Sequence, residues 1–597
     1  MEQARERLQA GVDGGHGHSV TQRPLRVNPP DEGARSTLTV PGRARSFCPM
    51  RTALSTALLG GLTACTGATD TGAPVVNSVE FRVQIQPLLP VNQRDIFTGA
   101  DTVTLSIREG GSEAVEYDLE AIDGGFIASE LAALDAAVVR LTARDLADQV
   151  IGWGQTPPLT IEDGTDENFT MLFAEPERIA RWNALPEALH GGQLVWDGAG
   201  RFLLFGGATQ GTRGNQSGLS SVWALSSGTT LATTGFEEVG VMPALLGNDS
   251  NAPQGRYGHS ATLLTGNHAD NGKILVVGGA ADHNAANLTD DKVFLWDPAT
   301  DSAETLETRV NDGVYLHQAV ESPNGDVVLI GGFSDSGLSH SFVFAQQSHY
   351  YDAGNRAVRN VNLTGAQAFH LFASGAALNN SGVLVCGGTD IAEIIRDEDD
   401  NPQEYYFALG AGCDLIGANG ALEPLTGSPP PERVLFADMV TLADGTVLMS
   451  GGAAPLTDPD RFELNDGLTS TAEAWLFDGS TWTETRLPMN VPRAGHRSAL
   501  LPDGRVLIFG GVTALEDPLP SGEDAVACVE IYNPETRDFA LLDANCDSTA
   551  VTASLEEPLA WPMVAVDPDR GVLTVGGLGT DDRSRSFNAM YVVQPSD

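Results

Sequence analysis

Apolar residues along this chain fall in short runs or alternate with polar ones, the pattern of strands rather than of long helices. Between residues 75 and 175 seven segments alternate: VEFRVQI (79–85), TVTLSIR (102–108), AVEYDLEA (114–121), GFIASE (125–130), VVRLTARD (138–145), QVIGWG (149–154) and ENFTMLF (167–173). Alternation with period two turns one face of a strand to a core and the other to water. So many short strands, most of them separated by turn residues, predict a β-sandwich over 77–175. LAALDAAVVR has helical propensity, but VVRLTA is β-branched enough to favour strand.

From residue 176 the pattern repeats. Seven apolar strands end in a glycine pair: Gly206-Gly207, Gly278-Gly279, Gly331-Gly332, Gly387-Gly388, Gly451-Gly452, Gly510-Gly511 and Gly576-Gly577. Hairpin dipeptides such as Asn271-Gly272, Asn324-Gly325, Asp444-Gly445 and Asp503-Gly504 precede several of them and supply the positive φ of a tight turn. A third strand follows each pair, as in DKVFLWDP (291–298), AEAWLFDG (472–479) and VEIYNP (529–534), then a short outer strand such as STWTETRLP (480–488). Four strands per unit predict one blade of a β-propeller.

The glycine pair, the third-strand aromatic, and the entry motifs Arg256-Tyr257-Gly258-His259 and Arg493-Ala494-Gly495-His496 together resemble the kelch family. The resemblance covers roughly 178–597 and is complete in the second and sixth units. The other units keep the pair and lose parts of the rest. It implies an all-β chain in which the small β-sandwich is followed by a kelch-type β-propeller of seven blades over 176–597. Kelch units run to about 50 residues, so the longer spacing here is loop insertion. The glycines let the backbone turn and approach the next blade, and the aromatic fills the wedge between blades. Arg256, His259, Arg493 and His496 are expected to bond neighbouring loops rather than to do chemistry. The last unit ends MYVVQPSD without a fourth strand, so 178–186 is expected to complete it beside the strand of Tyr591.

The N-terminal region predicts an address. Met50 opens MRTALSTALLGGLTAC, with a charge at Arg51, an apolar core and small residues before Cys65: a signal-peptide layout over 50–65. Leu62-Thr63-Ala64-Cys65 resembles the bacterial lipobox, which implies acylation of Cys65; an ordinary signal peptide cut after an alanine is the other reading. Residues 1–49 have no hydrophobic period and read as an upstream over-extension of the frame. TGATDTGAP, within 66–76, is small and polar, as a tether is. The expected location is exported and lipid-anchored, at the outer membrane or cell surface.

Composition narrows the partners. The net charge is −45, and residues 1–64 hold eight arginines against five acidic residues, so removing the leader makes it more negative. Such a surface repels phosphate backbones and excludes nucleic acid as an expected partner. In an oxidising compartment Cys386 would pair with Cys413 and Cys528 with Cys546; the alternative is four buried small apolar residues.

Candidate chemistry is sparse. Galactose-oxidase-like kelch enzymes hold copper with two histidines and two tyrosines, one crosslinked to a cysteine. Here no Tyr-His dipeptide occurs and no histidine follows His496, although Cys386 could meet Tyr405 or Tyr406. No Gly-x-Ser-x-Gly, His-Glu-x-x-His or Cys-x-x-Cys is present. The loops expected on one face carry carboxylates: Asp282, Asp290, Asp291, Asp397 to Asp400, Glu404, Asp458, Asp460, Asp466, Glu523, Asp524, Asp581 and Asp582. Asp397, Asp399 and Asp400 are the candidates for calcium, but Pro402 stands where such loops need glycine and Ala408 replaces the closing glutamate. The expected function is therefore binding or scaffolding at the cell envelope, with protein, glycan or calcium on the loop face. The alternative is an envelope carbohydrate- or alcohol-active enzyme, copper-dependent or similar to kelch-fold sugar epimerases.

Overall fold

Seven antiparallel sheets of one internal design, six of four strands and one of five, account for most of the structure, a computed structural model. It describes residues 81–597 except for a few single positions, short gaps and the longer segments 162–166, 210–216, 227–234, 246–254, 282–290, 336–341, 362–369, 398–401, 426–431, 516–520 and 547–554. The over-extension, signal peptide, tether and Cys65 lie outside the described residues, as do Asp399 and Asp400. Among the described residues the one helical element is the 3-10 turn Ile96–Gly99, and no helix is long and apolar enough to cross a membrane.

In each of the first six sheets, four strands lie side by side in chain order, and in all but the second a further strand or hairpin is interposed between them along the chain. The first strands, numbered here by sheet, are Gln193–Trp196, Ser260–Leu263, Gln318–Glu321, Leu371–Leu378, Asp438–Thr441, Arg497–Leu500 and Met563–Asp567. Each lies against the first strand of the next sheet, and the seventh against the first. The seventh sheet takes its fourth strand from far upstream: Ile179–Arg181 pairs antiparallel with Asn588–Val592, Ile179 opposite Tyr591. Glu177 secures this junction by accepting from the Tyr591 hydroxyl at 2.6 Å and from two Arg505 nitrogens at 2.9 and 2.8 Å.

The glycine pairs explain how one sheet meets the next. All fourteen glycines have positive φ. The N–H of Gly577 donates to the Leu189 carbonyl at 2.9 Å, joining sheet seven to sheet one, as Gly452 does to Arg493 between sheets five and six. A Cβ on Gly576 would sit 2.5 Å from that Leu189 oxygen, and one on Gly451 2.3 Å from the Arg493 oxygen. Only a residue without a side chain fits both the angle and the gap. Between sheets one and two, buried Trp296 meets Phe205 edge-on at 5.8 Å. Disulfides join Cys386 to Cys413, across the second and third strands of sheet four, and Cys528 to Cys546.

Residues 81–172 form two further sheets around their own core of Leu105, Ile107, Val139, Leu141 and Phe173. The expected single strand 114–121 is instead two, Val115–Tyr117 and Leu119–Ile122, on different sheets, and Leu159–Ile161 is an additional strand. Phe81–Leu88 and Glu167–Leu172 run parallel, which simple alternation does not reveal. This part packs against the repeated sheets. The described residues from 81 onward form one compact unit. The Trp153 indole donates to the Val593 carbonyl, and Trp153, Leu88 and Leu172 share a core with Trp182, Phe202 and Met590.

Candidate functional site

The seven first strands surround an axial cavity of about 680 Å³. One residue at the entry to each strand has left-handed backbone: Gly191, Gly258, Leu316, Phe372, Phe436, Gly495 and Trp561. Four of the seven are bulky, and each such residue costs on the order of 1–3 kcal/mol in that conformation. Packing holds them there. Phe372 and Phe436 have ring centres 4.4 Å apart, Phe436 and Trp561 5.2 Å, and the Trp561 indole donates to the Ser521 carbonyl at 3.1 Å. A Cβ on Gly495 would collide with the Trp561 ring at 2.5 Å, so that glycine makes room for the indole to lean across. The contacts continue behind the mouth through buried Phe333, Tyr315 and Tyr257 to His190, a chain of rings from sheet seven round to sheet one.

Along the wall the cavity carries two charged side chains among the described residues, Asp438 and Arg497, on neighbouring first strands. Asp438 is buried, and its Oδ2 accepts from the Ser498 N–H at 2.5 Å. Burial raises its carboxyl above the ordinary value, against the opposing pull of Arg497 and the Ser498 donors. The Arg497 side chain is 44% exposed, with its Nη1 3.9 Å from Asp438 Oδ1. Half-buried Gln193 and Thr262 add an amide and a hydroxyl to the wall.

The motif residues are built into the walls. Arg493 and Glu530 form a fully buried pair at 2.7 Å, and Arg493 also donates to the Gly510 and Cys528 carbonyls. Arg256 donates to the Gly278 and Pro243 carbonyls. His496 Nε2 lies 3.0 Å from Ser450 Oγ on the preceding sheet. Other histidines do the same: His317 with Ser260 at 2.9 Å, His190 with Ser584 at 2.9 Å, and His370 with Ser348 at 3.0 Å. Burial, foremost, keeps His259 and His496 well below the usual imidazole value and pushes His317 down to about 3. The neutral rings of His496 and His317 link sheets, whereas both ring nitrogens of His259 are buried without a hydrogen-bond partner among the described residues. Ser348, His370 and Asp414 are hydrogen-bonded in series, but Ser348 is wholly buried, and His370–Asp414 occupies in sheet four the place of Arg493–Glu530 in sheet six.

A copper–radical centre does not fit these residues. Cys386 is joined to Cys413 and cannot crosslink a tyrosine, and no three His, Cys, Asp or Glu converge for a metal among the described residues. For calcium, Asp397 stands exposed at a hairpin end. The rim carboxylates are not uniformly free. Asp582 is buried and accepts from Gly522 N–H and Ser521 Oγ, tying two loops together. Asp460 pairs with Arg433 at 2.8 Å and Asp581 with Arg585 at 2.7 Å. The mouth residues Leu316, Phe372, Phe436 and Trp561, and the pair Asp438–Arg497, were not anticipated from sequence. The one available signal was their shared offset from the entry motif.

No family model matches the chain. It is similar to Adagio-like protein 1 of Oryza sativa subsp. japonica, with 26% identity over 292 residues, 45% of this chain and 41% of that protein. The chain thus spans about two fifths of that relative's length. Among solved structures it is similar to YjhT, at 12% identity over 61% of this chain and 99% of that one, with a TM-score of 0.38. It is also similar to a fungal alcohol oxidase of the AA5 family in complex with copper, at 14% identity over 70% and 79%, with a TM-score of 0.47.

Proposed function

We propose that this chain is an exported, lipid-anchored binding protein, and that its seven sheets are the blades of a closed kelch-type propeller whose axial cavity seats the ligand. The observation that carries the reading is the cavity itself. It has the volume of a small-molecule site, an aromatic mouth and a wall that mixes apolar with polar groups. The anchor rests on the lipobox-like segment ending at Cys65. The surrounding acidic loops would favour basic protein partners or cations at the rim, an attraction that fades with salt.

The test is thermal. A panel of small metabolites is screened for a rise in melting temperature, in the wild type and in Thr262→Trp, whose indole narrows the cavity. The reading expects compounds that stabilise the wild type more than the narrowed variant. Equal stabilisation of both, or none of either, contradicts it. An enzyme acting on a carbohydrate or alcohol is the second reading, favoured by one observation: a carboxyl raised by burial in that cavity, at Asp438. Turnover of a cavity ligand, abolished by Asp438→Asn, would favour it over simple binding.

A further inference from the structure

The wall and the mouth of the cavity differ in chemistry, and the difference specifies a ligand. At the mouth stand the half-buried rings of Phe372, Phe436 and Trp561, with Phe436 and Trp561 at 78° to one another and Trp561 fixed by its bond to Ser521. An aromatic ring so placed receives the apolar face of a ligand ring. On the wall, Arg497 and Asp438 stand side by side, 3.9 Å apart, too far for a direct hydrogen bond. The guanidinium offers several donors in a fixed fork, while Asp438 Oδ1 offers an acceptor. Two adjacent hydroxyls fit such a pair: one accepts from arginine, the other donates to aspartate. A carboxylate ligand would meet Asp438 as a like charge, and an amine would meet Arg497 as one.

We propose that the axial cavity recognises a vicinal diol on a saturated ring, the chemistry of a neutral pyranoside, with Arg497 and Asp438 gripping the two hydroxyls and the Phe372–Phe436–Trp561 arc receiving the ring face. This rests on the reading of the cavity as a ligand site and names the ligand class. The strained left-handed backbone of the three aromatics places the rings at the mouth, and Gly495 lets the indole lean over it.

Saturation-transfer NMR on the whole chain tests it with defined probes: methyl hexopyranosides of gluco, manno and galacto configuration, methyl glucuronide, and the 1,2- and 1,4-cyclohexanediols. Binding of at least one neutral pyranoside is expected, with cis- or trans-1,2-cyclohexanediol competing and the 1,4-isomer failing to compete. Arg497→Gln and Asp438→Asn should each raise the dissociation constant tenfold or more. The competition uses the unaltered protein, so it decides the matter even if a variant fails to fold. Preference for the glucuronide that Asp438→Asn strengthens, or equal competition by the 1,4-diol, overturns the diol. Absence of pyranoside binding while the thermal screen finds other cavity ligands overturns it too, leaving the cavity reading intact. Silence in both experiments removes both.

Discussion

At the scale of single residues, the repeat is held by groups with no latitude. Gly451 has φ of 58° and an Arg493 oxygen where a methyl group would go, so Gly451→Ala should cost about 2–4 kcal/mol of stability. Gly504 has positive φ but open space around it, and its alanine variant should cost about 1 kcal/mol. Comparing the two by chemical denaturation separates contact from conformation. The Arg493–Glu530 pair is wholly enclosed, so Glu530→Gln leaves a buried guanidinium without its counter-charge and should cost about 3–5 kcal/mol. The buried histidines give a pH dependence of definite sign. Their folded pKa values lie below the unfolded one, so the neutral-ring stability is present above about pH 6.5 and is lost as pH falls toward the folded values. Asp438 and Glu432 act in the opposite sense, since their raised values favour the folded state as pH falls. Against them stand the three histidines and the lowered carboxylates Glu177, Glu304, Asp444, Asp478 and Asp581. The melting temperature should therefore drop between pH 7 and 4, and His317→Gln should flatten that slope. An unchanged slope in the variant would remove His317 from the account.

At the scale of elements, what was legible in the sequence was local. Glycine pairs and Asn-Gly and Asp-Gly turns report on neighbours within a few residues. The pairs close the second strand of six sheets, but Gly387-Gly388 lies inside the continuous strand Gly382–Arg396, which runs on into a longer hairpin. The strand Ile179–Arg181 was legible because the last unit lacks an outer strand. What could not be read depends on distant approach. Three of the seven entry positions are glycine, but the same left-handed turn at Phe372, Phe436 and Trp561 is held by packing across sheets, against local preference. Asp581 and Asp582 are alike in sequence, yet one is exposed and the other caps a neighbouring loop. Docking of the N-terminal sheets likewise rests on Trp153 reaching the Val593 carbonyl. Trp153→Ala should cost about 3–5 kcal/mol and expose the edge beside Asn588–Val592 to faster hydrogen exchange. Loss confined to residues 81–172 would mean that the two parts are energetically separate.

At the scale of the whole molecule, the seven first strands gather contributions from every sheet around one cavity, so no single repeat contains the site. Arg497 and Asp438 come from different sheets, and the chain of rings draws on sheets one to five and seven. The most direct measurement follows a reporter at the mouth. The chain has eight tryptophans; labelling them with 5-fluorotryptophan and assigning Trp561 by its phenylalanine variant gives a fluorine resonance at the cavity entrance. Titration with a ligand from the thermal screen should move the Trp561 resonance saturably, while buried Trp153 and Trp296 stay in place. Saturable shifts elsewhere with Trp561 unmoved would show that the ligand binds outside the axial cavity and would contradict the account.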